Sequence, residues 1–132
     1  MPWRDLLAVA VGGALGTALR LGIDTVLPHG DTDFPVSTLV INTVGAFALA
    51  LLVGRVWQFA PTWLRAGLGA GLLGSFTTFS AIAVSLVSLT TAGLGMLAAV
   101  YLAATMVLGL GAAALGLRFG HPAPPPLDLV DE

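Results

Sequence analysis

Few residues in this chain can do chemistry, and nearly all of them sit in apolar surroundings. The densest group is Gly74-Ser75-Phe76-Thr77-Thr78-Phe79-Ser80, where five of seven residues are Gly, Ser or Thr. Asn42 stands alone within Val40-Ile41-Asn42-Thr43. Tyr101 and Thr105 are four apart, which puts two hydroxyls on one helix face. Arg20 and Asp24 have the same spacing. Cysteine is absent, and the only histidines, His29 and His121, fall outside the long apolar runs. This set contains no metal cluster, no nucleophile–base pair and no proton-relay acid at mid-span, which argues against catalysis. What it offers is donors: an amide with two N–H groups, many hydroxyls, and the electropositive ring edges of Phe76 and Phe79. Such donors suit a small, hard, strongly hydrogen-bonding anion.

The elements that position these residues follow from composition. The chain has 132 residues, 57% of them hydrophobic and 9% charged, with five Arg, no Lys and seven acids. Typical soluble domains carry roughly 25% charged residues. Twelve charges cannot coat a soluble surface, and no basic stripe exists to hold nucleic acid. The class is an all-α integral membrane protein. Phe34 to Gly54 is uncharged over 21 residues and makes one span; Ala66 to Leu117 is uncharged over 52 and must hold two. Turn signals at Thr90–Gly95 divide it. The start reads as an uncleaved first span carrying Arg20, because its apolar run continues past any plausible signal-peptide cleavage site. The expectation is a single four-helix domain over residues 1–120, with spans at about 5–27, 35–57, 63–89 and 95–118. A Pro-rich acidic tail, expected to be disordered, follows at 121–132.

Charge placement predicts orientation. Arg4, Arg55, Arg65 and Arg118 share one side, whereas the other has Arg20 and the acids Asp24, Asp31 and Asp33. Both termini are then expected in the cytoplasm. Gly12 and Gly16 form one GxxxG pair and Gly67 and Gly71 another, which serves packing within the subunit or contact with a second one. Asn42 is either an interhelical clamp or a donor facing a polar pathway. The 74–80 segment is either a helix whose hydroxyls bond back one turn or a break that frees backbone groups for ions. Arg20 and Asp24 read as an ion pair that eases burial of Arg20, with a pore-mouth role for Arg20 as the alternative.

Together these segments resemble the Fluc (CrcB-type) fluoride channels. Gly74-Ser75-Phe76-Thr77-Thr78-Phe79-Ser80 is similar to that family's signature, Gly12-Gly13-Ala14-Leu15-Gly16 through Arg20 to its first-helix pattern, and Asn42-Thr43-Val44-Gly45-Ala46-Phe47 to its Asn-x-x-Gly-x-Phe segment. The resemblance implies an antiparallel, dual-topology dimer with a third helix broken mid-membrane and two fluoride pores at the interface. It implies passive export of cytoplasmic fluoride across a bacterial inner membrane. A structural sodium ion would be held at the dimer centre by the backbone carbonyls of Gly74 and Thr77. Asn42, Phe79, Ser80, Ile82, Tyr101 and Thr105 would fall along the fluoride path, with Arg20 at its mouth.

One departure stands out. Where the family carries a second Phe, three residues after the first, this chain has Ile82, and Ala81 replaces a hydroxyl. Ile82 offers no ring edge, so the pore that needs it would conduct poorly. The Arg bias of four against one predicts a chain inserted one way, partnered either by itself or by an oppositely oriented paralogue. Two rivals remain: a small multidrug-type exporter, which lacks its mid-span carboxylate here, and a non-conducting partner subunit of a heterodimeric channel.

Overall fold

The computed structural model describes residues 2–121; of the tail expected at 121–132, all but His121 lies outside the described residues. Four helices are long and apolar enough to cross a membrane. The first two are α1 (Trp3–Val26) and α2 (Val36–Arg55). The third span, Thr62–Thr91, is composite. It opens as α3 (Thr62–Arg65), continues as a π-helical stretch (Ala66–Leu73), and returns to α form in α4 (Gly74–Phe76). Thr77 is extended (φ −79°, ψ 155°), and α5 (Ser80–Thr91) follows. The last span is α6 (Gly95–Gly120).

The turn between α5 and α6 shows why the chain reverses where it does. Gly93 is the only residue with positive φ (78°) among those described. Its N–H donates to the Thr90 carbonyl at 3.1 Å, and that of Leu94 to the Leu89 carbonyl at 2.8 Å. This is a Schellman close, in which a residue without Cβ takes the left-handed position.

Two pairings organise the bundle: α1 packs on the third span and α2 on α6. Both use missing side chains. A Cβ at Gly12 would collide with the Gly67 carbonyl oxygen, and one at Gly16 with that of Leu72. A Cβ at Gly71 would lie 2.8 Å from the Val9 carbonyl oxygen. The two GxxxG pairs therefore mesh with each other inside one subunit, the packing role of the two that their spacing allows. On the other side, Gly54 and Gly120 meet backbone to backbone, each leaving 2.9 Å between a would-be Cβ and the other's Cα.

Ile41, Leu73 and Phe76 form a small buried cluster, against which Ile23 and Leu52 pack. Long apolar side chains such as Val84, Val107 and Leu110 face outward. That inversion of the soluble pattern is what a lipid environment permits, since hydrocarbon is as apolar as leucine.

Candidate functional site

The site grows from one amide. Asn42 lies on α2, and its side chain crosses to the third span. Its Nδ2 donates to the Thr78 carbonyl oxygen at 2.9 Å, and its Oδ1 accepts from the Thr78 N–H at 2.8 Å. Both of its functional groups thus engage one backbone residue. One Nδ2 hydrogen remains, because an amide carries two. The clamp reading of Asn42 is the geometry observed, and it leaves a donor to spare.

That clamp changes what the third span can offer. In an uninterrupted α-helix the Thr78 N–H would serve the Gly74 carbonyl, four residues earlier. Here it serves Asn42. The Ala81 N–H would likewise serve the Thr77 carbonyl, but it donates to Thr78 Oγ1 at 3.2 Å. The break leaves the carbonyl oxygens of residues 74–77 without helical partners among the described residues, and those of Gly74 and Thr77 are two of the four. The Thr77 side chain bonds back in the ordinary way, Oγ1 donating to the Leu73 carbonyl at 2.9 Å. Free carbonyl oxygens are the donors a small hard cation takes, so the two residues expected to hold sodium fit that group chemically.

Two open clefts flank the clamp. One, of about 500 Å³, is lined by Asn42, Gly45, Leu73, Gly74 and Thr77 among others. The second, of about 340 Å³, is the more polar, and Arg20, Asp24, Thr38, Thr78, Ser80 and Ser85 line it. Asn42 belongs to the first and Thr78 to the second, so their two hydrogen bonds stand between the clefts. Thr78 Oγ1 and Ser80 Oγ lie 3.1 Å apart at the edge of the polar one.

Arg20 and Asp24 both line the polar cleft, and no ion pair joins them among the described residues. The ion pair expected from their spacing is thus absent. Both residues are half-buried and border water-sized space in that cleft. His29, Asp31 and Asp33 line the same cleft. Their loop is stapled by the Gly30 N–H donating to Asp33 Oδ2 at 2.9 Å, and by His29 Nδ1 and Ser37 Oγ at 3.1 Å.

The remaining expected residues are dispersed. Phe79 is 80% exposed and lines neither cleft, whereas Ile82, three residues on, is buried at 7%. Tyr101 on α6 is wholly buried at 0%, with the ring of Phe34 edge-on at 5.5 Å. Its hydroxyl has no hydrogen-bond partner among the described residues. The Thr105 hydroxyl donates to the Tyr101 carbonyl at 2.8 Å and so has no proton to offer elsewhere.

Sequence reasoning missed several members. Thr78 was part of the quoted motif without a role of its own. Ser85 and Ser88 lie seven and ten residues beyond Thr78, a helical repeat that could have been read as one polar face. The loop residues His29, Asp31 and Asp33 carried no such signal.

The family model for CrcB-like protein, Camphor Resistance (CrcB), matches residues 7–117. The chain is 41% identical over 118 residues to the fluoride-specific ion channel FluC of Rhodospirillum centenum, covering 86% of this chain and 93% of that protein. It is 38% identical to the FluC of Paracoccus denitrificans (89% and 95% covered) and 39% to FluC 2 of Brucella abortus (89% and 95%).

Proposed function

The chain belongs to the CrcB-like family, and from that premise we propose that it forms a fluoride-selective channel for passive export of cytoplasmic fluoride across a bacterial inner membrane. It is a transport protein and not an enzyme. The observation that carries the proposal is the Asn42–Thr78 clamp. It leaves an amide hydrogen and backbone carbonyl oxygens, those of Gly74 and Thr77 among them, beside two open clefts, at a depth where unpaired polar groups are costly unless they serve an ion. The names of the relatives identify that ion.

In this reading the third span is broken in mid-membrane, and two copies assemble antiparallel with the pores at their interface. Exposure of Phe79 supports it, since a ring 80% exposed in one chain is available to line a path completed by another. The spare Asn42 N–H, the Ser80 hydroxyl and the orphaned Tyr101 hydroxyl donate to the anion along the path. Thr105 sets the Tyr101 backbone, and Ile82 takes the place of a second ring. Arg20 draws fluoride into the polar cleft. Sodium is held by the Gly74 and Thr77 carbonyls and supplies fixed positive charge at the centre of the assembly.

A second reading concerns the partner. Arg4, Arg55, Arg65 and Arg118 lie at helix ends on one side of the bundle, and Arg20 shares the other with Asp24, Asp31 and Asp33. That asymmetry favours insertion in one orientation and pairing with an oppositely oriented paralogue.

Liposomes loaded with fluoride and monitored by a fluoride electrode test the proposal. Efflux is expected with chloride retained, and Asn42→Asp and Phe79→Ile are expected to abolish it. Loss of chloride at a similar rate, or transport of a cationic dye instead, overturns the channel reading. Robust efflux from the chain expressed alone overturns the paralogue reading and leaves the homodimer.

A further inference from the structure

Away from both clefts, the Arg-rich end of the molecule has an open crevice of about 500 Å³ between α1 and the start of the third span. Leu7, Ala8 and Val11 line its apolar wall, Leu7 and Val11 being exposed. Trp3 and Trp63 flank it, 66% and 45% exposed. Arg4 stands at its rim, with its guanidinium carbon 5.8 Å from the centroid of the Trp3 ring.

The crevice exists because small residues meet beneath it. A Cβ at Gly67 would lie 3.1 Å from both the Cβ and the carbonyl oxygen of Ala8. Backbone therefore approaches backbone there, and larger flanking side chains stand apart above the contact.

Its chemistry has two levels. Tryptophans at the first turns of α1 and α3 mark the headgroup depth of a bilayer, where amphipathic rings settle. The apolar residues one and two turns further along α1 lie at acyl-chain depth. The rim charge is positive. Asp5, next to Arg4, is buried and turned to Thr62, whose Oγ1 donates to its Oδ1 at 3.5 Å. Arg65 lines a different pocket, with its Nε donating to the Ala60 carbonyl at 2.9 Å.

We propose that this crevice binds a phospholipid with an anionic headgroup, one acyl chain lying along Leu7, Ala8 and Val11 and the phosphate meeting Arg4. The proposal needs a membrane-spanning chain and is independent of what that chain conducts. A polybasic helix end attracts anionic lipid in general; the crevice makes the attraction a site.

Tryptophan fluorescence tests it. The chain has three tryptophans, and Trp57→Phe leaves only the two at the crevice. The full-length variant is reconstituted in zwitterionic liposomes carrying a small fraction of brominated phosphatidylglycerol or, separately, brominated phosphatidylcholine. Several-fold stronger quenching by the anionic lipid is expected, and Arg4→Gln should remove the preference. Excess inorganic phosphate should leave the quenching unchanged. Equal quenching by the two lipids, a preference that survives Arg4→Gln, displacement by phosphate, or no quenching by either lipid each overturns the proposal. The last outcome would mean that protein covers the crevice. Native mass spectrometry of the unmodified chain and of Arg4→Gln reads the same comparison without touching Trp57: retention of phosphatidylglycerol by the first and not the second supports the site, and equal retention overturns it.

Discussion

The two halves of the third span are held in opposite ways. From Thr62 to Phe76 it lies against α1 mainly through glycines, with backbone close on backbone at Gly12, Gly16, Gly67 and Gly71. Beyond Thr77 it is held by polar side chains: Asn42 grips Thr78, and Thr78 Oγ1 receives the Ala81 N–H at the start of α5. At Gly12, Gly16 and Gly71 the seam tolerates no added atom. The junction between the halves leaves backbone oxygens and one amide hydrogen unspent. A rigid seam fixes where the chain arrives, and a polar clamp decides what it presents there. Such division of labour suits a site that must hold unpaired groups in place in an apolar medium.

The sharpest way to break the comparison is to add bulk to the seam. Gly16→Val puts atoms into the Leu72 carbonyl and should cost about 3 kcal/mol or more, the upper range for overpacking. Loss of the monodisperse peak on size exclusion in detergent would register it. Gly22→Ala, where nothing lies within 4 Å, is the matched control and should leave the peak unchanged.

Next in size is Asn42→Ala. It strips both bonds from Thr78, and an unpaired buried group costs about 1–3 kcal/mol. Thermal unfolding in detergent should show a clear fall, smaller than that of Gly16→Val. If Asn42→Ala melts like the wild type while efflux is lost, the amide is a donor to the ion and not a clamp.

Thr78→Val tests the clamp's downstream end. It removes the hydroxyl that receives the Ala81 N–H and keeps the backbone that Asn42 holds, so about 1 kcal/mol is expected, the usual worth of a cap. A fall as large as that of Asn42→Ala would mean that the two residues act as one unit, which the double mutant would read directly.

The smallest effect belongs to Arg20→Gln. Both clamp and seam stay intact, so stability should hold. Efflux should drop a few-fold at low ionic strength and recover toward wild type in high salt, since attraction at a mouth is screened beyond about 10 Å at 0.1 M. A drop that ignores salt would mean that Arg20 touches the ion.

The sequence made these regions unequally legible. The count of helices was plain, because 52 uncharged residues admit nothing else. The glycine pairs were visible, but spacing cannot say whether their partner is the same chain or another; only the third dimension puts Gly12 on Gly67. Asn42 was conspicuous as an amide among valines and isoleucines, whereas its partner, 36 residues away, is a backbone group with no signature of its own. Arg20 and Asp24 had the spacing of an ion pair and were drawn apart by a cleft that helix periodicity does not record.

The π-helical stretch from Ala66 to Leu73 makes length, as well as residue type, a condition of function. Each turn there takes in about one residue more than an α-turn. Shortening the stretch by a single residue while its wide turns persist would swing everything after it by somewhat less than the roughly 100° that each residue occupies in an α-helix. Gly74 and Thr77 would then aim their oxygens at a different neighbour, although no residue near them had been exchanged. In this segment a deletion is a rotation, and a screen confined to substitutions would pass over it.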